Sequence, residues 1–246
     1  MQNNQIKIIL LFFILVFTST SSSFGQAFAR DIEVADSLFK EKKFTESFDI
    51  YKAIHETGEH ASPAMLLKMA YIREGLGDEA GALFYLNSYY LRTTNDKVFD
   101  KMEQLADKND LNGYEYSDQD WFFNIYYQYH YHILTSLFLV GILLGALVVY
   151  NKIAKTKKSY TAGFGLLFVI VMLFIAVNFG AEYDQGILVK NNSYIMSAPS
   201  SSADVLDVSK AGHRVQVLGT EDVWLKIQWG NQIGYIKDTY VRQLHF

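Results

Sequence analysis

The sequence predicts a multidomain membrane protein with three parts: an all-α helical repeat, a hairpin of two transmembrane helices and a small all-β barrel. Three observations lead to this fold class. Apolar runs without formal charge cover residues 133–150 and 160–181, a helical hydrophobic spacing covers 30–112, and short alternating runs follow residue 186. Because a helical face repeats about every 3.6 residues and a strand face about every 2, these patterns indicate different structures.

The N-terminus has the three-part layout of a secretory signal. Lys7 precedes the apolar run IILLFFILVF, and the small polar run TSTSSSFGQAFA follows it. Cleavage after Gly25 or after Ala29 would suit the small residues found there, and the choice between the two stays open. The apolar run is short compared with the roughly 20 residues of a membrane span. We therefore predict that residues 1–25 are a cleaved signal peptide.

Residues 30–112 show a helical spacing that repeats. Ala35 and Ser47 are twelve residues apart, Ala70 and Ala82 are also twelve apart, and the two pairs are offset by 35. This offset is close to the period of about 34 residues in tetratricopeptide repeats, where small residues let paired helices pack closely. The four residues are predicted helix-packing positions.

This segment resembles the tetratricopeptide repeat family. The resemblance is carried by ADSLFKEKKFTESFDIYKAI and MAYIREGLGDEAGALFYL, and it implies a concave surface that binds a peptide or a protein. Two repeats are evident, whereas about three are usually needed for stability. We expect a partner or an amphipathic helix at about residues 96–108 to complete the stack.

Two apolar runs separated by a basic loop predict a transmembrane hairpin. The runs contain 18 and 22 residues, close to the roughly 20 that cross the hydrocarbon as a helix. Short loops rich in lysine stay in the cytoplasm. The loop at 151–159 is therefore predicted to be cytoplasmic, and both soluble regions periplasmic, at the inner membrane of a Gram-negative cell. The topology depends on the four lysines of the loop: Lys152, Lys155, Lys157 and Lys158.

Glycines within these runs suggest how the two helices pack. Gly141 and Gly145 form a GxxxG pattern in the first run, which lets another helix approach closely. We favour packing against the second run, with its own Gly163 and Gly165, over dimerisation.

An aromatic stretch precedes the first run. WFFNIYYQYHY, residues 121–131, has seven aromatic rings in eleven residues. Amphipathic rings prefer the headgroup layer, so we interpret residues 113–132 as an interfacial linker in contact with the lipid bilayer. An alternative makes His130 and His132 metal ligands, but side chains two residues apart diverge on a helix and no other ligand cluster is nearby. We predict no metal site.

After residue 181 the pattern changes to short alternating runs separated by turns. RVQVLG, VWLKIQW and IGYIK, at 214–219, 223–229 and 233–237, alternate like half-buried strands. About sixty residues with around five strands favour a small barrel.

The segment 186–246 resembles bacterial SH3 domains. The resemblance is carried by Pro199 and the serines of SAPSSSADVL, Gly212 before a valine strand, Trp224 in WLKI and the Gly-Tyr-Ile step at 234–236. It implies a module that binds cell-wall peptides or proteins through an aromatic groove. We interpret Trp224 as mainly a core residue, because aromatic rings dominate small cores. The candidate ligand-binding residues are Tyr194, Trp224, Tyr235 and Tyr240.

Composition excludes several functions. There are no cysteines, which excludes disulfides, thiolate metal sites and a cysteine nucleophile. Residues 30–120 carry 11 basic and 19 acidic side chains, and 182–246 carry 6 and 7, so neither soluble region has the basic excess of a nucleic-acid-binding protein. None of the common catalytic or nucleotide-binding motifs is present. We expect neither an enzyme, nor a cofactor, nor a nucleic-acid partner.

The order of signal, repeat helices, two spans and terminal barrel resembles the proteins of the Bacteroides aerotolerance (Bat) group. The resemblance implies a periplasmic scaffold that works with von Willebrand A-type Bat proteins and other envelope proteins in envelope maintenance or stress tolerance. Two alternatives remain. One is an anchor that binds peptidoglycan through the barrel, and the other is an envelope sensor.

Overall fold

The computed structural model describes residues 24–57, 61–115, 118–153, 160–178 and 184–244. These residues form a helical N-terminal region, two long apolar helices and a C-terminal antiparallel sheet, which confirms the predicted fold class. The chain divides into two compact units, Met1–Met65 and Leu66–Phe246. The predicted signal peptide lies almost wholly outside the described residues and stays a prediction.

The first unit contains two helices that pack against each other, α1 (Phe24–Lys40) and α2 (Phe44–Glu56). The predicted packing residues Ala35 and Ser47 are both fully buried here. The Ser47 hydroxyl donates a hydrogen bond to the Ala35 carbonyl oxygen at 2.8 Å. A small side chain at each position lets the two backbones approach this closely.

Three more helices follow, α3 (Pro63–Gly75), α4 (Glu79–Thr93) and α5 (Asp96–Lys108). Their ends are capped by polar side chains, as in most stable helices. The Asp78 carboxylate accepts from the backbone N–H of Gly81 at 2.9 Å, at the start of α4. Helix α5 has the bounds expected from its amphipathic spacing and packs on α4.

The two apolar helices are α6 (Asp118–Ile153) and α7 (Tyr160–Asn178), which pack along each other. The stretches Gln128–Lys152 and Tyr160–Asn178 are long and apolar enough to cross a membrane. Their side chains are largely exposed, unlike those of the core helix of a soluble protein. At about 1.5 Å per residue, the 36 residues of α6 extend about 54 Å, well beyond the roughly 30 Å of hydrocarbon.

The structure changes several predicted bounds. Helix α6 begins at Asp118 and includes the aromatic stretch, whose interfacial position stays a prediction. The first candidate span starts at Gln128 instead of residue 133. Helix α7 ends at Asn178, and residues 179–183 are outside the described part of the chain. Of the four loop lysines, Lys152 is exposed at the end of α6, and the other three also lie outside the described residues.

Two of the four glycines lie where α6 and α7 pack against each other, as predicted. A Cβ atom added at Gly141 would lie 3.6 Å from Val169 of α7, and one at Gly165 would lie 3.5 Å from Leu144 of α6. No described atom lies within 4 Å of a Cβ added at Gly145 or Gly163. The helices therefore approach each other at one glycine from each.

The C-terminal sheet has seven antiparallel strands in the order β3-β2-β6-β5-β4-β1-β7. A central apolar cluster, which includes Ile195, Leu225, Ile227 and Ile236, fills its interior. A short 3₁₀ turn, Asp238–Tyr240, precedes the last strand. The strands are β1 (Asp184–Leu188), β2 (Ser193–Met196), β3 (Val205–Ser209), β4 (Arg214–Glu221), β5 (Trp224–Trp229), β6 (Gln232–Lys237) and β7 (Val241–Leu244).

Candidate functional site

The surface of the barrel carries a groove of about 310 Å³, which we call the aromatic groove. It lies between the strands β2 and β3 on one side and the start of β5, the end of β6 and the 3₁₀ turn on the other. Its lining is mostly apolar and aromatic, and its polar groups are the phenol hydroxyls of two tyrosines, one serine hydroxyl and one lysine ammonium group. The lining residues are Tyr194, Met196, Ser201, Val205, Trp224, Lys237 and Tyr240.

Trp224 lies in the wall of this groove. Its side chain is 7% exposed, but the next residue, Leu225, is the one that enters the central cluster. Successive side chains of a strand point to opposite faces, so Trp224 belongs to the outer face of β5. The interpretation of Trp224 as mainly a core residue is therefore refined: the ring is buried by the neighbours that form the groove.

The other three predicted ligand-binding residues separate into two groups. Tyr194, 53% exposed, and Tyr240, partly buried against the central cluster, both line the groove. Tyr235 does not line it among the described residues. It pairs across the strands with Met196, which does.

Sequence reasoning missed Lys237 as a groove residue. The pairing of β5 with β6 places Lys237 directly opposite Trp224, and the Lys237 Nζ atom lies 5.9 Å from the centre of the Trp224 ring. A second ammonium group, Lys190 Nζ, lies 4.5 Å from the centre of the Tyr240 ring. Only the strand register brings these groups together, so no local motif could have identified them.

A second feature is the packing of the barrel against the helical region, which we call the helix-barrel junction. It joins the segment after α5, residues 109–114, to the turn and strand at 210–214. The Tyr114 hydroxyl donates to the Gly212 carbonyl oxygen at 2.7 Å. The backbone N–H of Arg214 donates to the Asn112 carbonyl oxygen at 3.1 Å. Burial raises the pKa of Tyr114, so its hydroxyl stays a donor.

His213 forms part of the junction through its ring nitrogen. The backbone N–H of Asn112 donates to His213 Nδ1 at 3.0 Å, which requires that nitrogen to be unprotonated. Burial lowers the pKa of His213, and the positive charge of Lys210 lowers it further, against an opposing effect of Asp207. The ring also packs edge-on against Trp229, with 5.5 Å between the ring centres.

Two glycines allow this close contact. Gly113 has a φ of +93°, and a Cβ atom there would lie 2.1 Å from the carbonyl oxygen of Arg214. Gly212 has a φ of +106°, and a Cβ atom there would lie 2.7 Å from the side chain of Leu111. Larger residues would therefore meet both backbone strain and a steric clash.

Helix α4 contributes aromatic side chains to the same junction. The Arg242 guanidinium carbon lies 3.9 Å from the centre of the Phe84 ring, and Arg242 Nη1 donates to the Tyr85 hydroxyl at 3.2 Å. The strands β1 and β7 pack on this helix. The predicted packing residues Ala70 and Ala82 are buried in this same unit. The barrel thus packs on α4 through β1 and β7.

The described residues contain no group of three or more histidine, aspartate or glutamate side chains placed to hold a metal ion. His130 and His132 lie two residues apart on the long helix α6, where their side chains diverge, and no such group surrounds them among the described residues.

Comparison with known proteins identifies the barrel. Residues 193–242 match the bacterial SH3 domain family, which confirms that resemblance for this part of the chain. All seven groove residues fall within the match. Strand β1 precedes it, although β1 pairs with both β4 and β7 in the sheet. No curated protein matched the chain.

Proposed function

We propose that this protein is an inner-membrane scaffold that displays tetratricopeptide-like helices and an SH3-like barrel in the periplasm and recruits other envelope proteins. The observation that carries the proposal is the aromatic groove. The groove is open to solvent, while the helix-barrel junction uses a different set of barrel residues, so a ligand can bind the barrel without undocking it.

The helix-barrel junction supports placing both soluble parts on one side of the membrane. Gly113 precedes α6 and Arg214 follows α7, and the Arg214 side chain donates a hydrogen bond to the Gly113 carbonyl oxygen. A chain that crosses a bilayer twice returns to its starting side, as this contact requires. The lysine-rich loop at 151–159 favours the periplasm as that side.

The lining of the aromatic groove supports binding in preference to catalysis. Nucleophilic and acid-base catalysis need a nucleophile beside a base. Of the described residues that line the groove, none carries a carboxylate or an imidazole, and Ser201 is the only one with an aliphatic hydroxyl. Aromatic and apolar walls with few polar groups are typical of recognition sites. We therefore propose that the protein is not an enzyme.

The resemblance to the Bat group suggests which partners the scaffold assembles. On that basis we propose envelope proteins with von Willebrand A-type domains, in a complex for envelope maintenance or stress tolerance. The acidic excess of residues 30–120 favours a partner segment that is basic, with association that weakens as salt rises.

Photo-crosslinking in intact cells tests the scaffold. A benzoylphenylalanine at Tyr194 would sit in the groove, and the control position Leu218 is exposed on β4 away from the groove. We expect specific envelope proteins to be captured from Tyr194 and not from Leu218. The same proteins captured equally at both positions, or none at Tyr194, would contradict the proposal.

A second candidate function is a peptidoglycan-binding anchor, favoured by the match to the bacterial SH3 domain family. Sedimentation of the detergent-solubilised full chain with purified cell wall distinguishes the anchor function from the scaffold function. Co-sedimentation that is lost in Trp224→Ala would support the anchor. A chain that stays in the supernatant while crosslinking to proteins at Tyr194 would support the scaffold.

A further inference from the structure

The aromatic groove contains a single charged side chain in a mostly apolar lining. Of its seven lining residues, Lys237 alone is charged. Among the described residues, no acidic side chain forms an ion pair with Lys237. Its ammonium group is therefore available to an anion that enters the groove.

Aromatic rings arranged around a groove can also hold a cation. In this groove, however, Lys237 already lies over the Trp224 ring, and Lys190 lies over the Tyr240 ring. A second cation would be repelled by these ammonium groups. The charge of the groove thus selects against cationic ligands and for a ligand with a negative group beside an apolar one.

The small volume of the groove requires the negative group and the apolar group of the ligand to lie close together. About 310 Å³ lies at the small end of ligand pockets, which span roughly 300–1,000 Å³. In an extended peptide, neighbouring side chains point to opposite faces, so an acidic side chain and the apolar side chain next to it would not enter together. A terminal carboxylate shares its Cα atom with the last side chain, so both fit one small groove.

The strand that borders the groove adds a reason to expect a protein chain. Val205 lines the groove and begins β3, which lies at one edge of the sheet and, among the described strands, pairs only with β2. An edge strand offers backbone groups to an extended peptide. We propose that the aromatic groove binds the free carboxyl terminus of a partner protein, with Lys237 contacting the terminal carboxylate and the rings of Tyr194 and Trp224 holding the last, apolar side chain. This inference rests on the proposed scaffold function.

Paired peptides test the inference on the full chain in lipid nanodiscs. The probes are fluorescein-labelled hexapeptides that end in Val, Leu, Ile or Phe, each made as the free acid and as the C-terminal amide. Fluorescence anisotropy at low salt should show the best free acid binding about tenfold more tightly than its amide, as expected for a charge-assisted hydrogen bond. Lys237→Gln should remove this difference, and Lys237→Arg should retain it.

Lys226→Gln is the matched control, because Lys226 lies on β5 outside the groove and pairs with Tyr235. This variant should keep the tenfold preference. Circular dichroism should show the same melting curve for all three lysine variants, because they change a surface ammonium and not the central cluster. A preference that falls in Lys226→Gln as much as in Lys237→Gln would overturn the assignment of Lys237.

The remaining outcomes separate this inference from the scaffold proposal. Acids and amides that bind equally, or hexapeptides that do not bind, overturn the carboxylate inference, while crosslinking at Tyr194 still decides the scaffold. Cell-wall muropeptides are the alternative source of the carboxylate. If they bind more tightly than every hexapeptide acid and lose binding in Lys237→Gln, the carboxylate does not come from a protein C-terminus.

Discussion

Trp224 and Leu225 are neighbours on β5 that serve opposite faces of the barrel. Leu225 is buried in the central cluster, whereas Trp224 is buried in the wall of the open groove. A cavity left in a closed core stays empty and costs more than one that water can fill. The two residues therefore make different contributions to stability and to binding.

We expect Leu225→Ala to destabilise the barrel by about 3 kcal/mol or more and Trp224→Ala by less, although tryptophan is the larger side chain. Thermal unfolding of the full chain in detergent, followed by near-UV circular dichroism, measures both. Trp224→Ala should also abolish ligand binding to the groove. A larger loss of stability for Trp224→Ala than for Leu225→Ala would place the ring in the core.

His213 should make the helix-barrel junction sensitive to pH. The pKa of His213 is lowered in the folded protein, whereas in the unfolded chain a histidine has a pKa of about 6.5. As pH falls below about 6.5, the unfolded state therefore binds the proton before the folded state does. The stability contributed by neutral His213 is then complete above about pH 6.5 and is progressively lost below it, until the lowered folded pKa is passed. Lys210 and Asp207 are the charged groups that act on this ring.

His213→Asn tests this expectation, because the Asn oxygen can accept from the Asn112 N–H in place of Nδ1 but does not titrate. The unfolding free energy of the wild type should fall between pH 7 and pH 5 more steeply than that of His213→Asn. Parallel pH profiles for the two proteins would rule out His213 as the source of the dependence.

The helix-barrel junction brings two backbone segments so close together at Gly113 that only glycine fits there. Gly113 and Gly77 both have positive φ angles, +93° and +71°, but only at Gly113 would a Cβ atom meet another part of the chain. Gly113→Ala should therefore cost more than the roughly 1 kcal/mol of backbone strain expected for Gly77→Ala.

Hydrogen exchange on the full chain should locate the effect of these two substitutions. Gly113→Ala should increase exchange at the 109–114 segment and at the start of β4, where the junction is formed. Gly77→Ala should affect only the turn between α3 and α4. Equal and local effects of both substitutions would mean that the junction contributes little to stability.

Sequence patterns identified most elements because the signals for helices and strands are local. The amphipathic α5 and the alternating β5 each follow from residues within a few positions of one another. The first strand was not predicted, because DQGIL begins with two polar residues and has only two large apolar side chains, which are adjacent and do not alternate. Its place is determined by pairing with β4 and β7.

The proposed membrane topology predicts which residues of the whole chain face the periplasm. The natural chain has no cysteine, so single cysteines can be introduced as unique labels. Ser202→Cys on the barrel should react with a membrane-impermeant maleimide in spheroplasts. Thr156→Cys, in the lysine-rich loop, should react only after lysis. Labelling of Thr156→Cys in intact spheroplasts would overturn the topology.

Patterns among neighbouring residues were enough to predict the order of the parts: a helical region, two apolar helices and a small barrel. Each part follows from hydrophobic periodicity and the length of apolar runs, which are properties of neighbouring residues. The resemblance to bacterial SH3 domains, and not periodicity, implied Tyr194, Trp224 and Tyr240 as groove residues, together with Tyr235.

The tertiary structure was needed to show that, among the described residues, Lys237 lines the groove and Tyr235 does not, and that the barrel packs against the segment after α5. The pairing of Lys237 with Trp224 depends on strand register. The hydrogen bond between Asn112 and His213 joins residues 101 positions apart, across both apolar helices. Contacts of such long range leave no periodic signal in the sequence, because they depend on how the folded parts fit together.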